Sequence, residues 1–299
     1  MEWVVGIQKA IDYIEAHITE ELDYEKIAKV SFSSSYHFQR VFSILCGYTL
    51  GEYIRRRRLT LAGTELATGE IRVIDAAIKY GYDSPDSFTR AFVRFHGITP
   101  SAAREPGAKL CSFTRLSIRI SLEGGSNMDY RIEEKPEIIL TGYKKFFKGA
   151  PGERYEQEKD FHVTTRVNQY ILQGIACDNV TAYGIMTNFQ EEGYDYYYAV
   201  QLRQWEREHL AEVLGSTEEA ARFENIAIPA QAYVVCETER CKYPTEVFME
   251  LRKKIVEEWL PASGYMLAEA PEISVTHWFH DPDREKRYIE LWLPVCKVS

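Results

Sequence analysis

Near the C-terminus, the run Tyr288-Ile289-Glu290-Leu291-Trp292-Leu293 sets a carboxylate between two aromatic rings, each two residues away. In a strand, alternate side chains share a face. Tyr288, Glu290 and Trp292 then point one way, and Ile289, Leu291 and Leu293 the other. A buried carboxylate flanked by π faces is a receptor for a cation, through charge pairing and cation–π attraction. The same spacing also suits an exposed face on which Glu290 is merely hydrated, and spacing alone leaves both open. A second set lies in "SSSYHFQRVF", which begins at Ser33. Tyr36, Gln39 and Arg40 fall at i, i+3 and i+4 and share one helix flank. Phe38, Val41 and Phe42 supply the flank that packs. Glutamine and arginine side chains make paired hydrogen bonds to base edges; on a plain helical bundle they would only be solvated.

Other chemistries leave no trace. The six cysteines are scattered, without a CxxC pair or a paired-histidine spacing, so reduced thiols and no metal site are expected. No GxSxG, P-loop, HExxH or dinucleotide-binding glycine pattern occurs, and neither a catalytic set nor a cofactor is expected. No apolar run approaches the ~20 residues of a membrane-spanning helix. The opening "MEWVVGIQKAIDYIEAH" reads as an amphipathic helix and not as a cleaved signal, so the expected compartment is the cytoplasm, with no membrane partner. The net charge of −9 argues against a nucleic-acid partner at first sight. It is unevenly divided, however. Residues 1–110 hold 14 basic and 14 acidic side chains, and the remainder holds 22 and 31.

The elements that must position these residues differ between the two halves. Isoleucines 7, 11, 14 and 18 recur at helical spacing. Further helices are expected over residues 22–30, 33–45, 49–67, 71–80 and 83–95, with Ser33 and Asp83 as N-caps, Gly47, Gly69, Gly81 and Gly97 as stops, and Pro85 in a first turn. The "TPSAAR" string caps a last short helix. After it, "LSIRISL" (116–122) alternates as a strand does, and "EGGSN" (123–127) is a flexible connector. Strands are then expected over 137–147, 179–188, 196–202, 232–237, 272–279 and 288–295. Helices over 153–172, 204–214 and 245–259 separate them. The fold class is therefore an all-α N-terminal half, 1–108, a linker, 109–127, and an α+β C-terminal half, 128–299, whose strand–helix–strand–strand order occurs twice.

The all-α half repeats itself at an offset of 50. Phe32 matches Tyr82, Phe38 matches Phe88, Arg40 matches Arg90, Phe42 matches Phe92, and Gly47 matches Gly97. The repeated unit is a short helix, a tight turn and a second helix, the arrangement whose second helix can enter a major groove. With "HFQRVFSILCGYTLGEYIRRRRL" and "AIKYGYDSPDSFTRAFVRFHGITPSAAR", residues 4–105 resemble the DNA-binding domain of AraC/XylS-type bacterial transcription regulators. The resemblance implies two helix-turn-helix units joined by a long helix, both reading adjacent major-groove segments of double-stranded promoter DNA. It places Tyr36, Gln39 and Arg40 in the first reading face, and Pro85, Asp86, Ser87, Thr89 and Arg90 in the second. Arg55 and Arg56, in the run 55–58, read either as phosphate contacts or as a solvated face. Two positions depart from the family pattern: Ser31 stands for a turn glycine, and Asp86 turns a carboxylate towards the groove.

Residues 128–299 resemble a GyrI-like effector-binding domain through "FENIAIPAQAYVV", "EEWLPASGYMLAEAPEISV" and "YIELWLPV". The resemblance implies two β-α-β-β modules around a central cleft, an antiparallel sheet, and a small lipophilic or cationic effector received at Glu290. Tyr143, Phe189, Tyr197, Trp205, Trp278 and Trp292 are the aromatics that could line the cleft, each of which could equally be core. The implied protein is a regulator and not an enzyme, with RNA polymerase as a further partner if it activates. The alternative is a GyrI-like hydrolase or sequestering protein, using Glu290 as base with a hydroxyl such as that of Tyr143.

Overall fold

The computed structural model describes residues 2–31, 35–117, 129–148, 154–190, 193–280 and 282–297. The chain divides into two units, Met1–Leu122 and Glu123–Ser299. No helix among the described residues is long and apolar enough to cross a membrane. Ser33, Phe32, most of the "LSIRISL" segment and the 123–127 connector lie outside the described residues.

The first unit is helical: α1 (Glu2–Ala16), α2 (Tyr24–Val30), α3 (Ser35–Cys46), α4 (Leu50–Ala67), α5 (Val73–Lys79) and α6 (Pro85–His96), then a 3-10 turn, Ala102–Arg104. The repeat is visible as α2–turn–α3 and α5–turn–α6, with α4 between them. Its two tight turns are built differently. Gly81 has φ +75, which favours glycine, and a Cβ there would lie 2.8 Å from an Arg58 guanidinium nitrogen. Ser31, at the equivalent point, has φ −91, and its hydroxyl donates to the Ala28 carbonyl at 2.7 Å. The first turn therefore avoids the left-handed conformation, so a serine fits where a glycine is usual. The N-cap of α6 is Ser84 and not Asp83, and Ser84 and Ser87 form a reciprocal capping box.

The arginine run in α4 splits by helical phase. Arg55 and Arg56 both reach Glu52. Arg57 turns inward, grips Glu15 of α1 through two nitrogens at 2.8 and 2.9 Å, and donates to the Phe113 carbonyl at 2.7 Å. Arg58 donates to the carbonyls of Ile18 and Glu20. Residues 110–116, expected to be linker, run back along this helix. Phe113 N–H donates to Thr60 Oγ1 at 2.9 Å, Cys111 N–H to His96 Nδ1 at 3.2 Å, and Phe113 packs edge-on against Tyr48 and Tyr53. The His96 ring accepts at Nδ1, so its Nε2–H donates to the Leu59 carbonyl at 3.0 Å and the ring is neutral. Burial holds its pKa below the usual value, consistent with that role.

Glu15 gives a pH-dependent contribution. Burial alone would raise its carboxyl, but the hydrogen bonds from Arg57 and Tyr53 outweigh burial and hold it below the ordinary value. A carboxyl depressed in the folded state contributes stability that is present above the unfolded pKa and lost as pH falls through the folded one. The melting temperature of the helical unit should therefore exceed that of a Glu15→Gln variant at neutral pH, and the gap should close in acid. A gap that is constant with pH would contradict this account.

In the second unit the described strands are β1 (Arg131–Lys135), β2 (Ile138–Lys148), β3 (Thr181–Gln190), β4 (Gly193–Val200), β5 (Glu224–Ile228), β6 (Gln231–Glu237), β7 (Tyr265–Leu267), β8 (Glu272–His277) and β9 (Tyr288–Lys297). They form one antiparallel sheet in the order β1-β6-β9-β8-β3-β4-β2-β5, with β7 beside β9. Strands β1, β5 and β7 were not legible in the sequence. Helices α7 (Arg154–Thr164) and α8 (Arg166–Ile175) replace the single helix expected there. The break falls at Thr165, whose hydroxyl bonds the Phe161 carbonyl at 2.6 Å. The helix expected over 204–214 is likewise divided, at His209, into α9 (Gln204–Glu208) and α10 (Leu210–Leu214), followed by α11 (Thr217–Ala220). Finally α12 (Thr245–Lys254) continues as a π turn, Ile255–Trp259.

The strand order is a palindrome of two modules, β2-α7-α8-β3-β4 and β6-α12-β8-β9, meeting where β3 pairs with β8. The leading strands are exchanged: β1 pairs with β6, and β5 with β2. This exchange forces curvature. β1 and β2 are six places apart in the sheet, roughly 29 Å if it were flat. Only Pro136 and Glu137 join them, a link that spans about 11 Å at most. The sheet must curl until its two ends meet. One face, under α7, α8 and α12, is ordinary core. The other lines the inside of the curl.

Candidate functional site

Pairing register fixes which residues share the concave face. Glu290 stands opposite Val275 on β8 and Glu237 on β6; Tyr288 stands opposite His277, and Trp292 opposite Ile273 and Val235. Continuing across, Tyr183 and Ile185 of β3 and Tyr197 and Ala199 of β4 complete the same face. Its floor is apolar and closely packed, with Tyr233 at 0% and Trp292 at 7% exposure although none of the described helices covers it. The curl explains that burial.

Around Glu290 the polar groups converge from four strands. The Trp292 indole N–H donates to Glu290 Oε2 at 2.8 Å, and His277 Nε2 lies 3.1 Å from Oε1. His277 stacks on Tyr288, ring centroids 4.2 Å apart. Arg131 of β1 contacts Glu133 at 2.6 Å and Glu237 at 2.7 Å, and stands 4.0 Å from Glu290. Lys135 lies 4.2 Å from the Trp292 ring centroid. Burial would raise the Glu290 carboxyl; its bonds to His277 and Trp292, with the charges of His277 and Arg131, hold it below the ordinary value. Glu290 is thus an ionised carboxylate, 15% exposed at its side chain, in an aromatic setting. Tyr183 is pushed the other way, first by burial and then by the charges of Asp178 and Glu290, so it remains a phenol.

Of the aromatics expected in the cleft, Tyr197 and Trp292 lie on this face with Glu290. The other four require correction. Tyr143 lies on the helix-covered face, with its hydroxyl 2.8 Å from Thr165 Oγ1 and its ring against Phe161 and Tyr198. Phe189 packs with Tyr194 in that same core. Trp205 is exposed on α9 and stacks on His209. Trp278 lies past the end of β8, covered by the Arg287 guanidinium 3.9 Å from its ring centroid. Sequence reasoning missed Arg131, Lys135, Tyr183, Tyr233, Glu237 and His277. Strand register alone brings them to Glu290, and the alternation of Arg131, Glu133 and Lys135 was the one available signal.

In the helical unit, Pro85, Asp86 and Arg90 are exposed on α6 and Thr89 is half-buried beside them, while Phe88 and Phe92 are buried. Arg94, one turn on and also exposed, extends this face and was missed. Ser87 requires correction as a base reader, because its hydroxyl donates to the Ser84 carbonyl at 2.8 Å. Arg40 requires a larger one. It is 1% exposed and shares its flank of α3 with buried Ile44. Arg94 occupies the place of Ile44 in the second copy, so that flank is closed in one unit and open in the other. Gln39 is half-buried and donates to Ser35 Oγ at 3.1 Å. The Tyr36 side chain lies outside the described residues. Arg55 stays exposed and Arg56 is half-buried over the Tyr48 and Phe113 rings, both engaged with Glu52.

Comparison with known proteins divides along the same line. A helix-turn-helix domain family matches residues 27–106, and the integron-associated effector binding protein family matches residues 131–295. The transcriptional activator AarP of Providencia stuartii is 44% identical over 98 residues, 33% of this chain and 73% of its own. The regulatory protein SoxS of Salmonella typhimurium is 44% identical over 98 residues, 33% of this chain and 92% of its own. The solved structure of SAV2435 bound to tetraphenylphosphonium covers 56% of this chain and 94% of its own, at 17% identity and a TM-score of 0.43. The chain belongs to the integron-associated effector binding protein family through residues 131–295, and joins that domain to an AraC-type helix-turn-helix DNA-binding half.

Proposed function

We propose that this transcription regulator receives a small lipophilic cation on the concave face at Glu290, and that this alters promoter recognition by the helical half. The observation that carries the reading is an ionised carboxylate, half-buried among aromatic rings, on a sheet face that none of the described helices covers. Such a group favours a cation that can leave water, and the indole and phenol faces add cation–π attraction. The α6 surface, with Arg90 and Arg94 outward, supports DNA reading in the cytoplasm, with RNA polymerase as the partner of an activating complex. The hydrolase alternative drew on Glu290 with a hydroxyl such as that of Tyr143. Tyr143 faces the opposite side of the sheet, which removes it from that role.

Thermal shift of the full-length protein tests the effector reading. 1-Methyl-4-phenylpyridinium should raise the melting temperature, while 4-phenylpyridine at mildly alkaline pH, the same shape without the charge, should do so much less. Glu290→Gln should lose roughly ten-fold or more in cation affinity, the scale of one desolvated charge contact. Equal affinities in wild type and variant would remove Glu290 from the site.

A further inference from the structure

The concave face already holds cations, and the two that stand at Glu290 and Trp292 come from one strand of the chain itself. Arg131, Glu133 and Lys135 alternate on β1 and face inward opposite Val235, Tyr233 and Gln231. The Arg131 guanidinium stands over the Glu290, Glu237 and Glu133 carboxylates, at 4.0, 2.7 and 2.6 Å. The Lys135 ammonium sits 4.2 Å from the Trp292 ring centroid and 2.5 Å from Glu133. Glu290 and Trp292 are the two features to which an incoming cation is assigned above, and β1 supplies a cation beside each. Among the described residues β1 is an edge strand, hydrogen-bonded to β6 alone.

We infer that β1 is a built-in competitor, whose Arg131 and Lys135 occupy the Glu290–Trp292 site as an effector cation would and thereby set its selectivity. The inference rests on the cation reading above. A tethered charge competes at high effective concentration, so a bare ammonium of the same charge gains nothing by replacing it. An incoming molecule prevails only by adding apolar area that the arginine and lysine lack. The effector class is therefore a flat aromatic cation, and small hydrophilic amines are excluded. β1 defines that class by competing, where Glu290 defines it by attracting.

Removing the competitor should increase affinity, a direction that misfolding does not imitate. Calorimetric titration of the full-length protein with 1-methyl-4-phenylpyridinium should show Lys135→Met and Arg131→Met binding about three- to ten-fold more tightly than wild type, the range of one cation–π or exposed ion-pair contact. Lys135→Arg should return to wild-type affinity. 4-Phenylpyridine should bind all forms alike. Lys145→Met removes the same charge from the helix-covered side of β2, where it pairs with Asp160, and should have no effect. The gain should also persist at about 0.5 M salt, where a change in the general field is screened. Wild-type affinity in both variants, an equal gain in Lys145→Met, or a gain that vanishes with salt would overturn the competitor while leaving the Glu290 site standing. Failure of every form to bind the cation would overturn the Glu290 site, and the competitor with it.

Discussion

Glu272→Ala is expected to destabilise the effector-binding unit by roughly 3–5 kcal/mol, the range for removing one partner of a buried ion pair. Arg252, on α12, reaches under the sheet to Glu272 at the start of β8, with Nε to Oε1 at 2.5 Å and Nη2 to Oε2 at 3.0 Å. The two side chains are 5% and 0% exposed. Deleting the carboxylate leaves a guanidinium without its counter-charge in a place water does not reach. The penalty should lower the melting transition of this unit by about 6–20 °C, at roughly 2–4 °C per kcal/mol for a unit of this size. The double variant Arg252→Met, Glu272→Met is the sharper measurement. With no orphaned charge and similar volume, it should recover most of the loss. Scanning calorimetry reads both. A single variant that melts with wild type would show that the pair does not pin α12 to β8.

The consequence for binding is direct. Glu272 opposes Met186 on the helix-covered face, and its neighbour Ile273 belongs to the concave floor beside Trp292. Loss of the pair releases the strand that carries Ile273, Val275 and His277, three residues of the candidate site. Cation binding should weaken in Glu272→Ala and return in the double variant.

What the sequence could and could not disclose follows from the range of each signal. The α5–turn–α6 unit was legible because its determinants are local: a glycine with φ +75 at 81, a proline in the first turn, and another left-handed glycine at 97. The two faces of β9 were legible because alternation needs only one strand. The membership of the concave face was not. β4 reads Gly-Tyr-Asp-Tyr-Tyr-Tyr-Ala-Val, with tyrosines on both faces, so nothing within it separates Tyr197 in the site from Tyr196 and Tyr198 in the core. Tyr143 and Trp278 failed for the same reason. β1 was missed outright, because four of its five residues are charged. It is a strand only because β6 offers it an edge, and its charges are tolerated because they answer Glu237 and Glu290.

Arg90→Ala and Arg40→Ala should part company, although the repeat gives them one position. Arg90 lies exposed on α6, so its removal should leave stability within about 0.5 kcal/mol of wild type. Binding to a duplex selected from a random pool should weaken by ~1–3 kcal/mol if the arginine reads a base edge. If it holds a phosphate instead, the loss should be uniform across sequences and the salt slope should fall by about one. Arg40 is buried on a flank it shares with Ile44. Its alanine variant empties a packed site, so the melting temperature of the helical unit should fall and any loss of DNA affinity should follow that fall. Ile44→Arg, which imposes the residue found at 94, tests the cause. It places a second charge on the closed flank and should unfold the first unit, whereas Arg94→Ile should be tolerated. If Arg40→Ala kept full stability and lost DNA binding, the two units would read DNA alike. If Arg90 alone matters at the base edges, the first unit contributes through other residues of α3, and the two copies divide the work of recognition unequally.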